Sequence, residues 1–489
     1  MVGCGAPSVG EGAGGGDPVP SADGGPSDGT PNGGGTDPAD RDGGITVPDA
    51  GRPDAGFTPD AGRPDAGGTF DAGTPDAGRP DAGGTFDAGT PDAGTGGTPD
   101  AGTGGTPDGG CLAGPLMGSL GKTTLMVGAS MQDATATQAP FELRYQYITG
   151  GIFDGTTPCT SCASGCTASG ASCKGGACGW WGCWQWDALP PGQFALDFLT
   201  TTQTDKQIPM FTYYELLQTS GVSDGTQEVT AANDAKLMTR YYADFRFLLQ
   251  KIGTSTAFLH IEPDFWGYAQ FVNSNPHAIP AAVASANATD CSTQENSIAG
   301  MARCMIAMVR KYAPNTKVGL HASSWATKTD VFYNTNPAFN VVGEAQKVGN
   351  FLVACGANLG DFMVVEVSDR DAGYYTSIGQ NTWLDATDKT LPTFSQAFTW
   401  AKTISETVGK PLVWWQLPVG NMTLANTWNV WRDNTLDYFF DHPDRVVSTH
   451  AVGMAFGAGT DGMTTPESDN GHLIQRTKTY GTARAPTCP

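Results

Sequence analysis

From Leu116 onward the chain alternates short apolar runs with amphipathic helical patterns, and no other feature restricts its fold as much. Runs with the two-residue period of a pleated strand fall at 124–130, 143–149, 207–215, 256–262, 316–322, 361–368, 411–417 and 450–457. Helical stripes lie between several of them: Leu237, Tyr241, Phe245, Leu248 and Ile252, then Ile298, Met301, Met305, Met308 and Tyr312, then Val348, Phe351, Leu352 and Cys355. Their i, i+3, i+4, i+7 spacing marks core faces, not cofactor boxes. Repeated βα units predict an α/β fold, a (β/α)8 TIM-type barrel spanning residues 111–489. A distorted, seven-stranded barrel is the near alternative, because 143–149 is weakly patterned.

Residues 1–110 cannot join that core. They repeat units such as Thr58-Pro59-Asp60-Ala61-Gly62 and Arg63-Pro64-Asp65-Ala66-Gly67, in which proline and glycine oppose helix and ladder alike. A disordered, low-complexity linker is expected, reaching on the order of 50–60 Å root-mean-square. The linker holds 18 acids against 4 arginines, so it carries 14 of the 22 net negative charges. No basic cluster is present, which argues against nucleic acid as partner. No apolar run is long enough to span a bilayer. Met1-Val2-Gly3-Cys4-Gly5 is similar to the cleavage end of a bacterial lipoprotein signal, so a lipid anchor through Cys4 and an extracellular or outer-surface location are expected.

Cysteine usage agrees with export. Six of the twelve cysteines crowd into 159–183, inside a Trp-rich insertion at about 155–187. One CxxC occurs there, but no histidine is near and the segment is Gly/Ser/Thr-rich, so disulfides are favoured over a zinc knuckle. Cys111 and Cys488 bracket the folded part and could tie its ends. Among Cys291, Cys304 and Cys355 one must stay unpaired. No metal constellation stands out, and no cofactor is expected.

The chemistry concentrates after the strands, where barrels of this type carry their functional loops. The fourth run, AFLHIEPDFWGYAQ from Ala257 to Gln270, ends at Pro263 and delivers Glu262, Asp264 and Trp266. Neighbouring runs bring Tyr214, His321, Trp325, Glu366, Asp369, Trp415, Gln416 and Asp461, and the insertion adds Trp184. Carboxylates with large rings suit glycosidic cleavage, in which one acid protonates the leaving oxygen and a second stands opposite. Glu262 and Glu366 both lie in phase within their runs, so a facing pair about 5 Å apart would serve a retaining mechanism. Trp414 and Trp415 point to opposite faces, so at most one can meet a sugar.

Ile261-Glu262-Pro263-Asp264 closes a strand and is followed about 25 residues on by a cysteine and then a helix. That pattern resembles the family 6 glycoside hydrolases, the cellulases of cellobiohydrolase and endoglucanase type. The resemblance implies Asp264 as general acid, Trp325 of His321-Ala322-Ser323-Ser324-Trp325 as a sugar-stacking ring, and Asp461 of Gly457–Gly462 as base. Two departures stand out: Leu217, Gln218 and Thr219 occupy the place of that family's Arg-Asp-Cys segment, and His321 replaces an aspartate. The reading is an exported glycoside hydrolase acting on a polysaccharide or oligosaccharide, with a β-linked glucan as the expected substrate. A catalytically inactive glycan-binding barrel, or an adhesive surface protein binding through the insertion, are the competing classes.

Overall fold

The computed structural model describes residues 111–150, Ile152, Trp181 and 191–488. Eight parallel strands close into a barrel in sequence order: β1 Met126–Ala129, β2 Leu143–Ile148, β3 Ile208–Tyr213, β4 Phe258–Ile261, β5 Lys317–His321, β6 Phe362–Val365, β7 Leu412–Leu417 and β8 Ala451–Phe456. β2 pairs with β3 over six residues, from Leu143 opposite Ile208 to Ile148 opposite Tyr213, so 143–149 is a full member and the seven-stranded alternative falls. β8 returns to β1 with Phe456 opposite Ala129. Closure leaves no sheet edge to be covered.

Strand alternation separates two apolar environments. One set of side chains (Phe211, Tyr213, Leu259, Ile261, Val318, Leu320, Met363, Val365, Leu412 and Trp414 among them) is buried against the surrounding helices. The other set fills the lumen: Met126, Leu143, Tyr145, Met210, Phe258, Phe362, Val364, Val413 and Trp415. Trp414 packs edge-to-face with Phe398 and Phe439 at 5.5 and 5.2 Å, while Trp415 points inward, as opposite faces of a pleat require.

The helices form where the stripes lie and are stopped by their own sequence. Asp234 caps Ala235–Ile252 by accepting from Lys236 and Leu237 amides at 2.8 and 3.2 Å. Ser297 caps Ile298–Tyr312 through the Gly300 amide, and Asn340 caps Val341–Cys355 through Gly343. Gly356, at φ 94°, ends the last of these in the left-handed conformation that glycine tolerates. Five stripe residues, Leu237, Tyr241, Phe245, Leu248 and Ile252, are all buried.

A short helix, Ala113–Ser119, packs Ala113, Leu116 and Met117 against the lumen residues and so plugs the end at which the strands begin. Cys111, just before the plug, is bonded to Cys488, with Cα atoms 5.5 Å apart. Cys291 is bonded to Cys304, which leaves Cys355 as a buried free thiol. The six cysteines of 159–183 lie outside the described residues.

The Cys111–Cys488 bond closes a loop of sequence separation 377, so its main effect is on the unfolded chain. Replacing both residues with serine is expected to remove about 2–4 kcal/mol. The check is a urea midpoint lower in the double variant than in the wild type, both measured without reductant so that Cys291–Cys304 stays closed in each.

Candidate active site

The polar residues of the lumen gather at the end where the strands finish. Thr212 of β3, His260 of β4 and His321 of β5 are fully buried and form a column: Thr212 Oγ1 lies 3.4 Å from His260 Nδ1, and His260 Nε2 lies 3.2 Å from His321 Nδ1. The two imidazoles stack at 5.2 Å, and the Trp415 ring meets both edge-on at 4.7 and 5.7 Å. Burial pushes both histidines down, His260 with help from His321 and His321 to about 3, so both rings are neutral.

Above this column three side chains converge. Asp264, His321 and Glu366 each offer an atom within 4.8 Å of the other two. Glu366 follows β6 by one residue and keeps the inward phase of Val364, so ordinary alternation delivers it. His321 Nδ1 is engaged by His260, which leaves Nε2 as a buried nitrogen without a hydrogen-bond partner. A neutral ring facing two carboxylates is most stable with its proton on Nε2. His260 Nε2–H then donates to His321 Nδ1, and Thr212 donates to His260 Nδ1. The same three side chains are the residues that could hold a divalent cation; they come from three strands, so no sequence spacing announces them.

Asp264 reaches this place through an unusual backbone. Glu262 and Asp264 have φ of 46° and 67°, a left-handed conformation costly for residues with a Cβ. The reversal turns Glu262 out of phase. Its Oε1 accepts from Tyr241 Oη at 2.7 Å and from the amides of Glu215 and Leu216 at 3.2 and 3.1 Å, away from Glu366. The expected facing pair of Glu262 and Glu366 is therefore replaced by Asp264 and Glu366. Trp266 ties the reversal down by donating Nε1–H to the Ile261 carbonyl at 2.9 Å. Asp264 stands at the N-cap of Phe265–Val272 without a capping hydrogen bond to that helix.

Glu262 is pushed up to about 7 by burial, with the Tyr241 and amide hydrogen bonds pulling the other way. Glu228, also fully buried, is pushed far up by burial and then by the charges of Glu262, Asp224 and Asp264. Sequence patterning missed Asp224 and Glu228, which sit in a polar connection after β3. It also missed Tyr147, whose hydroxyl donates to Gln416 Oε1. Gln416 has φ 53°, a third left-handed residue at this rim.

Several expected sugar contacts are not presented to solvent. Trp266 is buried against Phe265 at 5.1 Å, and Trp325 is buried between Tyr268 and Phe271 at 4.6 and 5.3 Å. Hydrophobic burial beneath a helix outweighs exposure at both positions. Tyr214 is buried beside Glu228 and Asp264. Trp415 forms the floor of the mouth and Gln416 its wall. Asp369 pairs with Arg370 at 3.3 Å and accepts from Tyr375 Oη at 2.6 Å, so it anchors its loop. Asp461 stands in a turn beside Gly462, which has φ 81°. Trp181 of the insertion is buried and donates Nε1–H to Asp244, packing on the flank of Ala235–Ile252 rather than over the rim. Trp184 lies outside the described residues.

No protein-family model matches the chain, and no curated protein does. Similar solved structures include an endo-β-1,4-mannanase from Thermotoga petrophila, 11% identical over 75% of this chain and 78% of that one, TM-score 0.41. Another is a modular endo-β-1,4-mannanase from Cellulomonas fimi, of glycoside hydrolase family 26: 10% identity, 76% and 73% covered, TM-score 0.40. A third is a family 44 xyloglucanase from Paenibacillus polymyxa: 10% identity, 74% and 78% covered, TM-score 0.38. Identities and TM-scores this low leave the chemistry to be read from the residues themselves. The resemblance to family 6 is overturned: no family model matches, and the family 6 fold differs from this closed eight-stranded ring. The base role of Asp461 rested on that resemblance and goes with it.

The raised Glu262 acid makes a pH prediction. The folded state holds this proton more tightly than the unfolded chain, so unfolding releases it between the two pKa values. Stability from this group is complete below about 4.5 and is lost as pH rises through about 7, on the order of 3 kcal/mol in all. Glu262→Gln keeps an oxygen for Tyr241 and the two amides but cannot ionise. Its denaturant midpoint should fall less than the wild type's between pH 5 and 8; parallel slopes would contradict the assignment. Asp371, raised by burial and then by Asp433, adds a slope of the same sign to both proteins.

Proposed function

We propose that this protein is a glycoside hydrolase that cleaves a polysaccharide by a retaining mechanism, with Asp264 and Glu366 as its carboxylate pair. One observation carries the reading. Two acids from β4 and β6 meet with His321 within 4.8 Å at the open end of a closed barrel. Carboxyl groups about 5 Å apart suit a nucleophile and an acid/base, whereas an inverting pair needs room for a water between.

The roles follow from exposure. Asp264 is half-buried and can meet both a leaving group and solvent; Glu366 is buried. Glu366 lies near enough to Tyr145 and Tyr147 that its charge, after burial, raises both phenols. In the first step Asp264 protonates the glycosidic oxygen as the bond to the anomeric carbon breaks. Glu366 attacks that carbon and forms a glycosyl ester. In the second step Asp264 takes a proton from water, which displaces Glu366 and regenerates both groups. His321 stands within 4.8 Å of both acids, and the Trp415 floor keeps the site dry from below. Export to an oxidising compartment belongs to the same proposal, supported by the two disulfides of the described residues.

Asp264→Asn and Glu366→Gln should each lower release of reducing ends from galactomannan, xyloglucan or carboxymethylcellulose by a factor of about 10³ or more while leaving the far-ultraviolet spectrum unchanged. Proton NMR of the first product should show the substrate's own anomeric configuration. Full activity in either variant, or an inverted product, would overturn the pair.

A second reading, hydrolysis assisted by a cation on Asp264, His321 and Glu366, is favoured by the partnerless His321 Nε2. Dialysis against EDTA separates the two: activity is unchanged under the carboxylate mechanism and is lost, then restored by a divalent ion, under the other.

A further inference from the structure

A single tryptophan at the mouth has a geometry that its own chain does not explain. Trp428 is 64% exposed, the most open of the large apolar residues described. It belongs to the loop that follows β7, on the same end of the barrel as Asp264 and Glu366. Thr427 and Val430 pair in an antiparallel bridge, and Asn429 has φ 64°, so Trp428 is the second residue of a tight turn and is thrust outward.

The ring is nonetheless fixed. A Cβ built on Gly462 would lie 2.5, 2.5 and 2.7 Å from three consecutive carbons of the six-membered ring. A point beyond the ring's edge could not be almost equidistant from all three, so the ring lies face-on against the Gly462 backbone. Gly462 combines φ 81° with the missing side chain that this approach needs. One face of the indole is thereby covered, and the opposite face is open.

The support beneath it is rigid. Gly462 accepts from the Asn429 amide at 2.8 Å and from Trp431 Nε1 at 2.7 Å. Ser468 donates to the Asn429 carbonyl at 2.6 Å. Asp371, buried after β6, accepts from Gly420 and Thr464 amides at 2.9 and 2.8 Å, which binds the loops after β6, β7 and β8 into one unit. Trp431, three residues on, shows what this loop does with a ring it needs for packing: it is buried and hydrogen-bonded. Trp428 is held as firmly and left uncovered, with Met422 of the same loop also 52% exposed.

We infer that Trp428 is a stacking platform for a pyranose ring of the substrate, so that the enzyme takes a polymer spanning several sugar units and not a short glycoside. This rests on the glycan reading above. A pyranose offers a flat C–H face to an aromatic ring. A ring already immobilised by Gly462 loses little freedom on binding. A contact of this kind is worth up to about tenfold in affinity. The carboxylate pair follows β4 and β6 and the platform stands on the loops after β7 and β8, so both lie at the same end of the barrel, with β6 and β7 as neighbours.

The test uses the full chain. Cellohexaose and mannohexaose are titrated into Glu366→Gln and into Glu366→Gln carrying Trp428→Ala or Trp428→Phe, followed by tryptophan fluorescence and calorimetry. At least one hexasaccharide should quench the fluorescence, with affinity about tenfold weaker in the alanine variant and intermediate in phenylalanine. Equal affinity in the Trp428→Ala background, or no response to either sugar, would overturn the inference. If Glu366→Gln proves fully active but Trp428→Ala still weakens binding, the catalytic assignment fails and the platform stands.

Discussion

The backbone reversal at the end of β4 is the constraint on which the site depends. Two non-glycine residues at positive φ within three positions are costly, and they persist because the surroundings fix them. Glu262 is gripped by a phenol and two amides, Trp266 holds the Ile261 carbonyl, and Pro263 between them offers no amide to a continuing ladder. The result exchanges two carboxylates. The one in strand phase is sent outward under the helix Ala235–Ile252, and the one two residues later is turned toward Glu366. Relax the reversal and both acids move together, so Glu262 and Asp264 are coupled through a single turn.

Electrostatics beneath the mouth follows from the same geometry. A closed barrel excludes water from its lumen, so charge there is expensive and both histidines are held neutral. Neutral imidazoles can still pass hydrogen-bond direction upward from Thr212 to His321. Trp415 walls this column on one side and contributes bulk where a smaller residue would admit solvent. The apolar lower lumen, plugged by Ala113–Ser119, and the polar upper lumen are thus two halves of one packing solution.

Across the mouth the loops after β6, β7 and β8 are organised by buried carboxylates instead of by apolar packing. Asp371 and Asp433 accept backbone amides from segments far apart in sequence; burial raises both acids, and the charge of Asp433 raises Asp371 further. This rim is a hydrogen-bonded frame, stiff enough to present a ring such as Trp428 in one orientation. The opposite rim, after β3 and β4, is a nest of acids and tyrosines in which Glu228 and Asp224 surround Asp264. The two sides therefore differ in kind: one tunes charge and the other offers shape.

The eight strands, the helical stripes and the end of the barrel at which Asp264, His321 and Glu366 gather were all legible in the sequence, because hydrophobic periodicity reports burial directly. So was the outward and inward split of Trp414 and Trp415, since a pleat has only two faces. The similarity of a four-residue motif to the family 6 hydrolases misled, because so short a match is compatible with unrelated folds. Which acids pair was beyond the sequence: alternation places Glu262 inward, and only a positive φ, imposed by contacts from β3 and Ala235–Ile252, reverses it. Burial of Trp266 and Trp325, exposure of Trp428, and the meeting of Asp264 with Glu366 depend on what other segments cover or leave open. Period and composition fix which residues prefer the interior; only closure of the ring decides which polar groups must share it.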